Sequence, residues 1–323
     1  MTHAQLELSS LSRVTFTIAL LAYVAAMVGY FHYLVFRKKP VWLGARTIAY
    51  AGLAAHAVSI VSRGFAAGRV PWGNMYEYSS LLSFLIVLAA LVYVEGLHKL
   101  RTLPGFALGF AVLTMAVAKT EFYVPATPLV PALNSYWIKI HVVAAITGSS
   151  LFGLGGILTI LYLVQSGRER KRERQQAAAR SELTAREPAP IMGGSLDDPP
   201  DMEGSVDETV RVADRRGLLP PSETLDRLAY KTIAFAFPIW TFAVIAGAIW
   251  AESAWGRYWG WDPKETWSFI TWVVFAGYLH ARATAGWRGR RAAVVALVGF
   301  ASLLVTYYVV NLWIVGLHSY KGF

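Results

Sequence analysis

The chain has 323 residues, of which 55% are hydrophobic and only 15% charged, with a mean hydropathy of +0.43 and a formal net charge of +10. A soluble domain carries about 25% charged residues, so the composition excludes an ordinary globular enzyme and places the chain among membrane proteins. With no cysteine it forms no disulfide and ligates no metal through sulfur, and no nucleic-acid-binding module accompanies its basic charge.

Spanning helices need about 20 apolar residues, and the hydropathy pattern predicts eight, at 14 to 36, 43 to 63, 78 to 96, 103 to 118, 136 to 164, 228 to 251, 266 to 284 and 292 to 315. The opening MTHAQLELSSLSR lacks a positive n-region and the apolar stretch after it is longer than a signal peptide's, which predicts a retained first helix. The fourth is short and holds Pro104, Gly105 and Gly109, which predicts a tilted, broken or re-entrant element. The seventh is weakly apolar but begins on a good start signal, Asp262 followed by Pro263. Arg37, Lys38, Lys39, Arg46, Lys99, Arg101, Arg168 to Arg174 and Arg282 to Arg291 share one side, which the positive-inside rule makes cytoplasmic. Both termini and the loops at 64 to 77, 119 to 135 and 252 to 267 are then outside. The expected protein is all-α and multi-pass, with about eight transmembrane helices and these basic loops on the cytoplasmic side of its membrane.

Thirteen of the twenty acids fall between Glu169 and Asp226, so the positive excess belongs to the membrane part, in contact with a lipid bilayer. The segment 166–226, with GGSLDDPPDMEGS at its centre, reads as a cytoplasmic linker too poor in apolar residues to fold. It divides a five-helix half, 1–165, from a three-helix half, 227–323.

Residues 255–267 read WGRYWGWDPKETW, four tryptophans in thirteen positions. An interfacial belt needs one or two rings per helix end, so this surface of rings points to a flat aromatic ligand. Asp262 as N-cap, Pro263 and Glu265 form a capping box, and that structural role accounts for both carboxylates without chemistry. Arg257 and Lys264 flank them and can pair with these acids or with the carboxylates of a ligand. The outer loop GRVPWGNMYEYSS brings Trp72, Asn74, Tyr76 and Glu77 to the head of helix three. Glu77 either favours the helix dipole or binds Arg257 or Arg69. Glu95 reads as a snorkelling or hydrogen-bonded residue.

Seven histidines are spread along the chain. His3 and His98 sit in polar surroundings. His141, in SYWIKIHVV, and His318, in NLWIVGLHSY, both fall at the level of the aromatic loop, where two imidazoles on separate elements can bind a porphyrin iron from both axial directions. His280, in AGYLHAR, is either an intramembrane functional residue or an interface residue beside Arg282. His32 and His56 are possible companions for it, and the sequence does not choose between them.

These residues carry a specific resemblance. WGRYWGWDPKETW resembles the WWD motif of the haem-handling proteins of cytochrome c maturation, and His141 and His318 match their external haem ligands. Chain length, NMYEY after helix two and the GLHSY ending are similar to the CcsA/ResC family of the System II pathway over nearly the whole chain except 166–226. The longer CcmF and shorter CcmC relatives share the motif but fit these lengths and flanks less well. Arg69 stands where the family pattern would have a histidine.

The resemblance implies a haem b-binding subunit of cytochrome c synthase, working with a CcsB/ResB-type membrane partner. Haem would enter from the inner side at His280, opposite a ligand from the partner, and pass to an outer site between His141 and His318. Trp255, Trp259 and Trp261 would line the ring, and Arg257, Asp262, Glu265 and Trp267 complete the expected contacts. Two thiols of a Cys-X-X-Cys-His segment of apocytochrome c, kept reduced by a thioredoxin-type reductase, would add to the vinyl groups. No residue of this chain is expected to act as a nucleophile. The rival readings are a haem transporter without ligation activity, and a membrane subunit that only docks a partner.

Overall fold

A computed structural model of the chain describes residues 2–127, 135–186, 217–314 and 316. It is helical throughout. The elements are α1 (His3–Phe36), α2 (Lys39–Ala67), α3 (Met75–Ala89, continued by a π-helical segment Ala90–Leu97), α4 (Pro104–Glu121), α5 (Tyr136–Arg186), α6 (Ser222–Trp255), α7 (Pro263–Ala283) and α8 (Arg290–Leu304, continued through a π-helical segment Val305–Val309 to Val310–Trp313). No strand occurs among the described residues.

Six of these helices are long and apolar enough to cross a membrane: α1, α2, α3 with its continuation, α5, α6, and α8 with its continuation. The chain is a multi-pass membrane protein. The two that fall short are α4 and α7, the weakest of the eight predicted spans. α4 has 18 residues and ends in Lys119 and Glu121, while α7 begins with Lys264 and Glu265 and ends with His280 and Arg282.

Small residues set the helix spacing. In a bilayer, association rests on close van der Waals packing rather than on water expulsion. Gly52 of α2 lies against the Tyr23 ring of α1, where an added Cβ would come within 2.9 Å of it. Gly155 of α5 lies so close to Ile233 of α6 that a Cβ would fall 2.6 Å from its side chain. α1 and α2 form one tight pair and α5 and α6 another. α5 also touches α3 and α8, and in its most apolar stretch 78% of residues are buried, against 28% to 50% in the other five long helices. It is the central helix.

The ends of the bundle differ in composition. One carries the turn at 37–38, the loop after Leu97, the α5–α6 connection and the turn after Ala283, together with the arginines and lysines read above as a topology signal. The other carries the loops at 68–74 and 256–262, the head of α5 and the end of α8. We call these the basic and the aromatic ends.

The structure corrects the linker boundary. α5 runs to Arg186 and α6 starts at Ser222, so 166–186 and 222–226 are helical. The stretch RERKRERQQAAAR is built of strong helix formers with no glycine or proline; its polarity removes it from the membrane without unfolding it. At the other boundary Ser222 N donates to Glu169 Oε1 (3.0 Å), stitching the two helices together. GGSLDDPPDMEGS lies outside the described residues.

Candidate functional site

The aromatic loop is short because both flanking helices are firmly ended. Gly256, at φ 69°, closes α6 with its N–H on Glu252 O (2.8 Å). At the head of α7, Lys264 N donates to Asp262 Oδ2 (3.2 Å), and Glu265 Oε2 accepts from Asp262 N (3.1 Å) and Gly260 N (2.8 Å). That is the capping box read from the sequence, extended by one bond into the loop. Trp261 takes a left-handed conformation at φ 57° and is 66% exposed, edge-on to Trp259 and Phe269. Arg257 packs over Gly260, where an added Cβ would overlap its guanidinium.

Beside this loop lies a cavity open to solvent, about 1130 Å³ of space with its open part included. Its walls come from the 72–75 segment, α5, α6, the loop residues Tyr258 and Trp259, the head of α7, and Thr306 and Tyr307 of α8. The π-helical turn at Val305–Val309 carries the last two, and such turns are frequent at functional sites. The floor is aromatic and hydrogen-bonded: Tyr78 stacks on Tyr307 at 4.6 Å and shares a bond with Ser149 (2.6 Å).

His141 stands in the wall. Its Nδ1 donates to Ala243 O (2.7 Å), which fixes the tautomer and leaves the ring lone pair on Nε2, the arrangement that suits an axial ligand. Its ring is nearly parallel to Trp250, at 12° and 6.4 Å. Gly247 makes room for it, since a Cβ there would come within 2.7 Å of the imidazole.

Of the residues singled out by sequence, Trp72, Asn74, His141, Trp259, Lys264 and Glu265 line the cavity together. Trp255 packs on Trp250 behind the wall (4.8 Å). Trp261, Arg257, Asp262 and Trp267 belong to the loop and the α7 head without lining the cavity. Lys264, a lining residue, donates to Asn311 Oδ1 (2.9 Å); burial pushes its ammonium down to about 8, against the pull of Asp262. His318 lies outside the described residues. Gly316 packs on Asp262, with room for no Cβ between them.

Among the described residues three buried side-chain atoms have no hydrogen-bond partner, Asn74 Nδ2 and Glu265 Oε1 in the cavity lining and Arg257 Nη1 in the loop. A buried group left so costs about 1–3 kcal/mol, which a ligand or solvent can relieve.

The neighbouring loop is held by a buried ion cluster. Glu77 Oε1 accepts from Arg63 Nε (2.9 Å) and Arg69 Nη2 (3.2 Å), and Oε2 from Arg69 Nη1 (2.7 Å) and Gly73 N (2.8 Å). Of the two partners expected for Glu77, the structure selects Arg69 and adds Arg63.

The remaining histidines separate clearly. His56 is fully buried, with Nδ1 on Tyr23 Oη (3.3 Å) and Nε2 on Ser80 Oγ (2.9 Å), so both ring nitrogens are engaged inside the bundle. His32 is exposed on α1 beside Phe36. His280 is exposed near the basic end of α7, one turn from the Arg282–Asp226 pair (2.8 Å). Glu95 is buried, accepting from Tyr30 and from Trp42 Nε1 (3.0 Å). Among the described residues no group of three His, Asp or Glu side chains could by itself hold a metal.

Sequence reading misses Trp240, Trp250, Gly247, Tyr78 and Tyr307. The available signal is the stripe 240, 243, 247, 250 and 251 on one face of α6, which looks like ordinary core until α5 is laid against it.

Comparisons with known proteins agree with this architecture. The family described as Cytochrome C assembly protein matches residues 72–318. The chain is 38% identical to the cytochrome c biogenesis protein CcsA of Gloeobacter violaceus, over 83% of this chain and 86% of that one. It is 34% identical to CcsA of Guillardia theta, over 94% of each. Its fold is similar to that of cytochrome c heme lyase CcmF, with a TM-score of 0.62 and 16% identity, covering 93% of this chain and 46% of CcmF. The chain thus spans about half of CcmF, and at that identity the likeness concerns the fold.

Proposed function

The chain belongs to the cytochrome c assembly protein family, within the CcsA group, and on that premise we propose that it holds haem b at the aromatic end of the bundle and presents it for covalent attachment to an apocytochrome c. Cytochrome c maturation is the family's work. The observation that carries the finer reading is His141, an imidazole of fixed tautomer in the wall of a cavity lined by Trp240, Trp250, Tyr258 and Trp259. The donor set suits haem: an axial nitrogen, an aromatic wall, and for the carboxylates the cations Lys264 in the lining and Arg257 in the loop.

His141 and His318 would be the axial ligands, on what the positive-inside pattern makes the outer face. Haem supplies two vinyl groups, to which the thiols of the Cys-X-X-Cys-His segment add. This chain contributes binding, orientation and exclusion of water, having no nucleophile of its own to offer. His280, exposed on α7, suits an intramembrane haem whose opposite ligand comes from a CcsB/ResB-type subunit, and the engagement of both His56 nitrogens argues against His56 for that place. A thioredoxin-type reductase would keep the substrate thiols reduced.

The test is co-expression with the partner subunit and a reporter apocytochrome. The wild-type protein should purify with a low-spin bis-histidine haem spectrum. His141→Ala and His318→Ala should lose it together with covalent haem on the reporter. Retention of the spectrum in both variants refutes the outer site, whereas retained attachment in haem-depleted variants supports a delivery role alone. His280→Ala should deplete haem at both sites, and normal outer loading would defeat the inside-to-outside path.

A further inference from the structure

We propose that Asn74 and Glu265 form a subsite for the backbone of the polypeptide substrate, Asn74 Nδ2 donating to a carbonyl and Glu265 Oε1 accepting from an N–H. Both side chains line the cavity and are more than nine-tenths buried, at 5% and 8% exposure, and each has one polar atom with no partner among the described residues. Their orientation is decided by what their other atoms do. Asn74 Oδ1 caps α3 by accepting from Glu77 N (3.0 Å), so turning the amide over would break the cap and Nδ2 is the atom left over. Glu265 Oε2 is taken by two loop N–H groups, which leaves Oε1.

The result is one fixed donor and one fixed acceptor, on the heads of two different helices. The donor is held firmly, because the Glu77 cluster bonds Gly73 N and anchors the turn that precedes Asn74. A ligand that satisfies both atoms must itself accept and donate. A haem carboxylate only accepts, and it would meet like charge at Glu265. A peptide backbone offers both carbonyls and N–H groups along its length, and the haem-presenting reading, on which this inference rests for the identity of the substrate, requires a peptide to lie against this cavity.

The capping roles make clean variants available. Asn74→Ser keeps an N-cap of equal rank and removes the amide donor without adding charge; Glu265→Gln keeps the capping box and turns the acceptor into a donor. The probe is a synthetic Ser-X-X-Ser-His peptide, which cannot react, titrated against the full chain in nanodiscs with and without haem. Each variant should bind it about tenfold more weakly, with helix content and melting temperature unchanged. Methylating successive backbone nitrogens of the peptide should find one position that costs about tenfold in the wild type and nothing further in Glu265→Gln, a thermodynamic cycle that a structural role does not produce. Wild-type affinity in both variants, or no peptide binding at all, overturns the subsite and leaves the two atoms to solvent. Loss of haem with unchanged peptide affinity overturns it in favour of a haem contact. Because the haem-free protein is also titrated, a wild type that never carries haem would defeat the function proposed above while the subsite is still decided.

Discussion

The heads of α3 and α7 carry the same local signal and use it differently. Each has an Asx N-cap followed three residues later by glutamate, Asn74 with Glu77 and Asp262 with Glu265. At α7 the glutamate folds back on its own cap and loop, satisfying two N–H groups and leaving an oxygen over. At α3 the glutamate turns away and is saturated by two arginines and a backbone N–H. Both heads border the cavity, but the glutamate is a lock at α3 and part of the cavity wall at α7. The difference comes from elsewhere in the chain: Arg63 arrives from α2 and Arg69 from the loop after it, whereas among the described residues no arginine pairs with Glu265, Arg257 packing instead over Gly260.

The most damaging way to break this contrast is Glu77→Ala, which leaves two buried guanidinium groups without their carboxylate. We expect a loss of about 3–5 kcal/mol, seen as a collapse in the yield and melting temperature of the solubilised protein. Gly247→Ala should spare the fold and strike the cavity, since its methyl would displace His141. Haem affinity should fall about tenfold or more by spectroscopic titration, at nearly unchanged melting temperature. Glu265→Ala should cost about 1 kcal/mol of stability, far less than Glu77→Ala; equal losses at the two heads would refute the division between lock and wall.

The smallest effect belongs to a third carboxylate at a helix head. Glu169 reaches from α5 to the first N–H of α6; burial opposes its ionisation, but hydrogen bonds from Ser222 and Gln165 outweigh this and hold its pKa below the usual carboxylate range. A lowered folded pKa stabilises above the unfolded value, and that contribution is lost as pH falls through the folded one. Glu169→Gln should therefore narrow the difference in melting temperature between pH 7 and pH 4, by an amount worth under about 1 kcal/mol for so exposed a pair.

What the sequence reveals of this molecule is local in kind. The helices follow from hydropathy, and the head of α7 is written within four residues, so Asp262 and Glu265 are found in the roles assigned to them. The tryptophan cluster announces itself by density. Long-range pairing leaves no such trace: Arg63 precedes Glu77 by a whole loop, and Trp240, Gly247 and Trp250 become a wall only when α5 is packed on α6. The helical stretch after Gln165 is missed for another reason. Its polarity excludes it from the membrane, and polarity reads as linker unless propensity is weighed separately.

The wide turn at Val305–Val309 has a consequence for how this chain tolerates change. It holds more chain per turn than a regular helix, and each residue of an α-helix advances the direction of its side chains by about 100°. Deleting one residue there would let the turn close into regular helix with everything beyond it still nearly in phase. The same deletion in the regular helix before the turn would swing the end of the chain by that angle and carry Gly316 away from Asp262. A single-codon loss should therefore be absorbed at this turn and nowhere earlier in α8, while substitution of Thr306 or Tyr307, which line the cavity, should be felt at once.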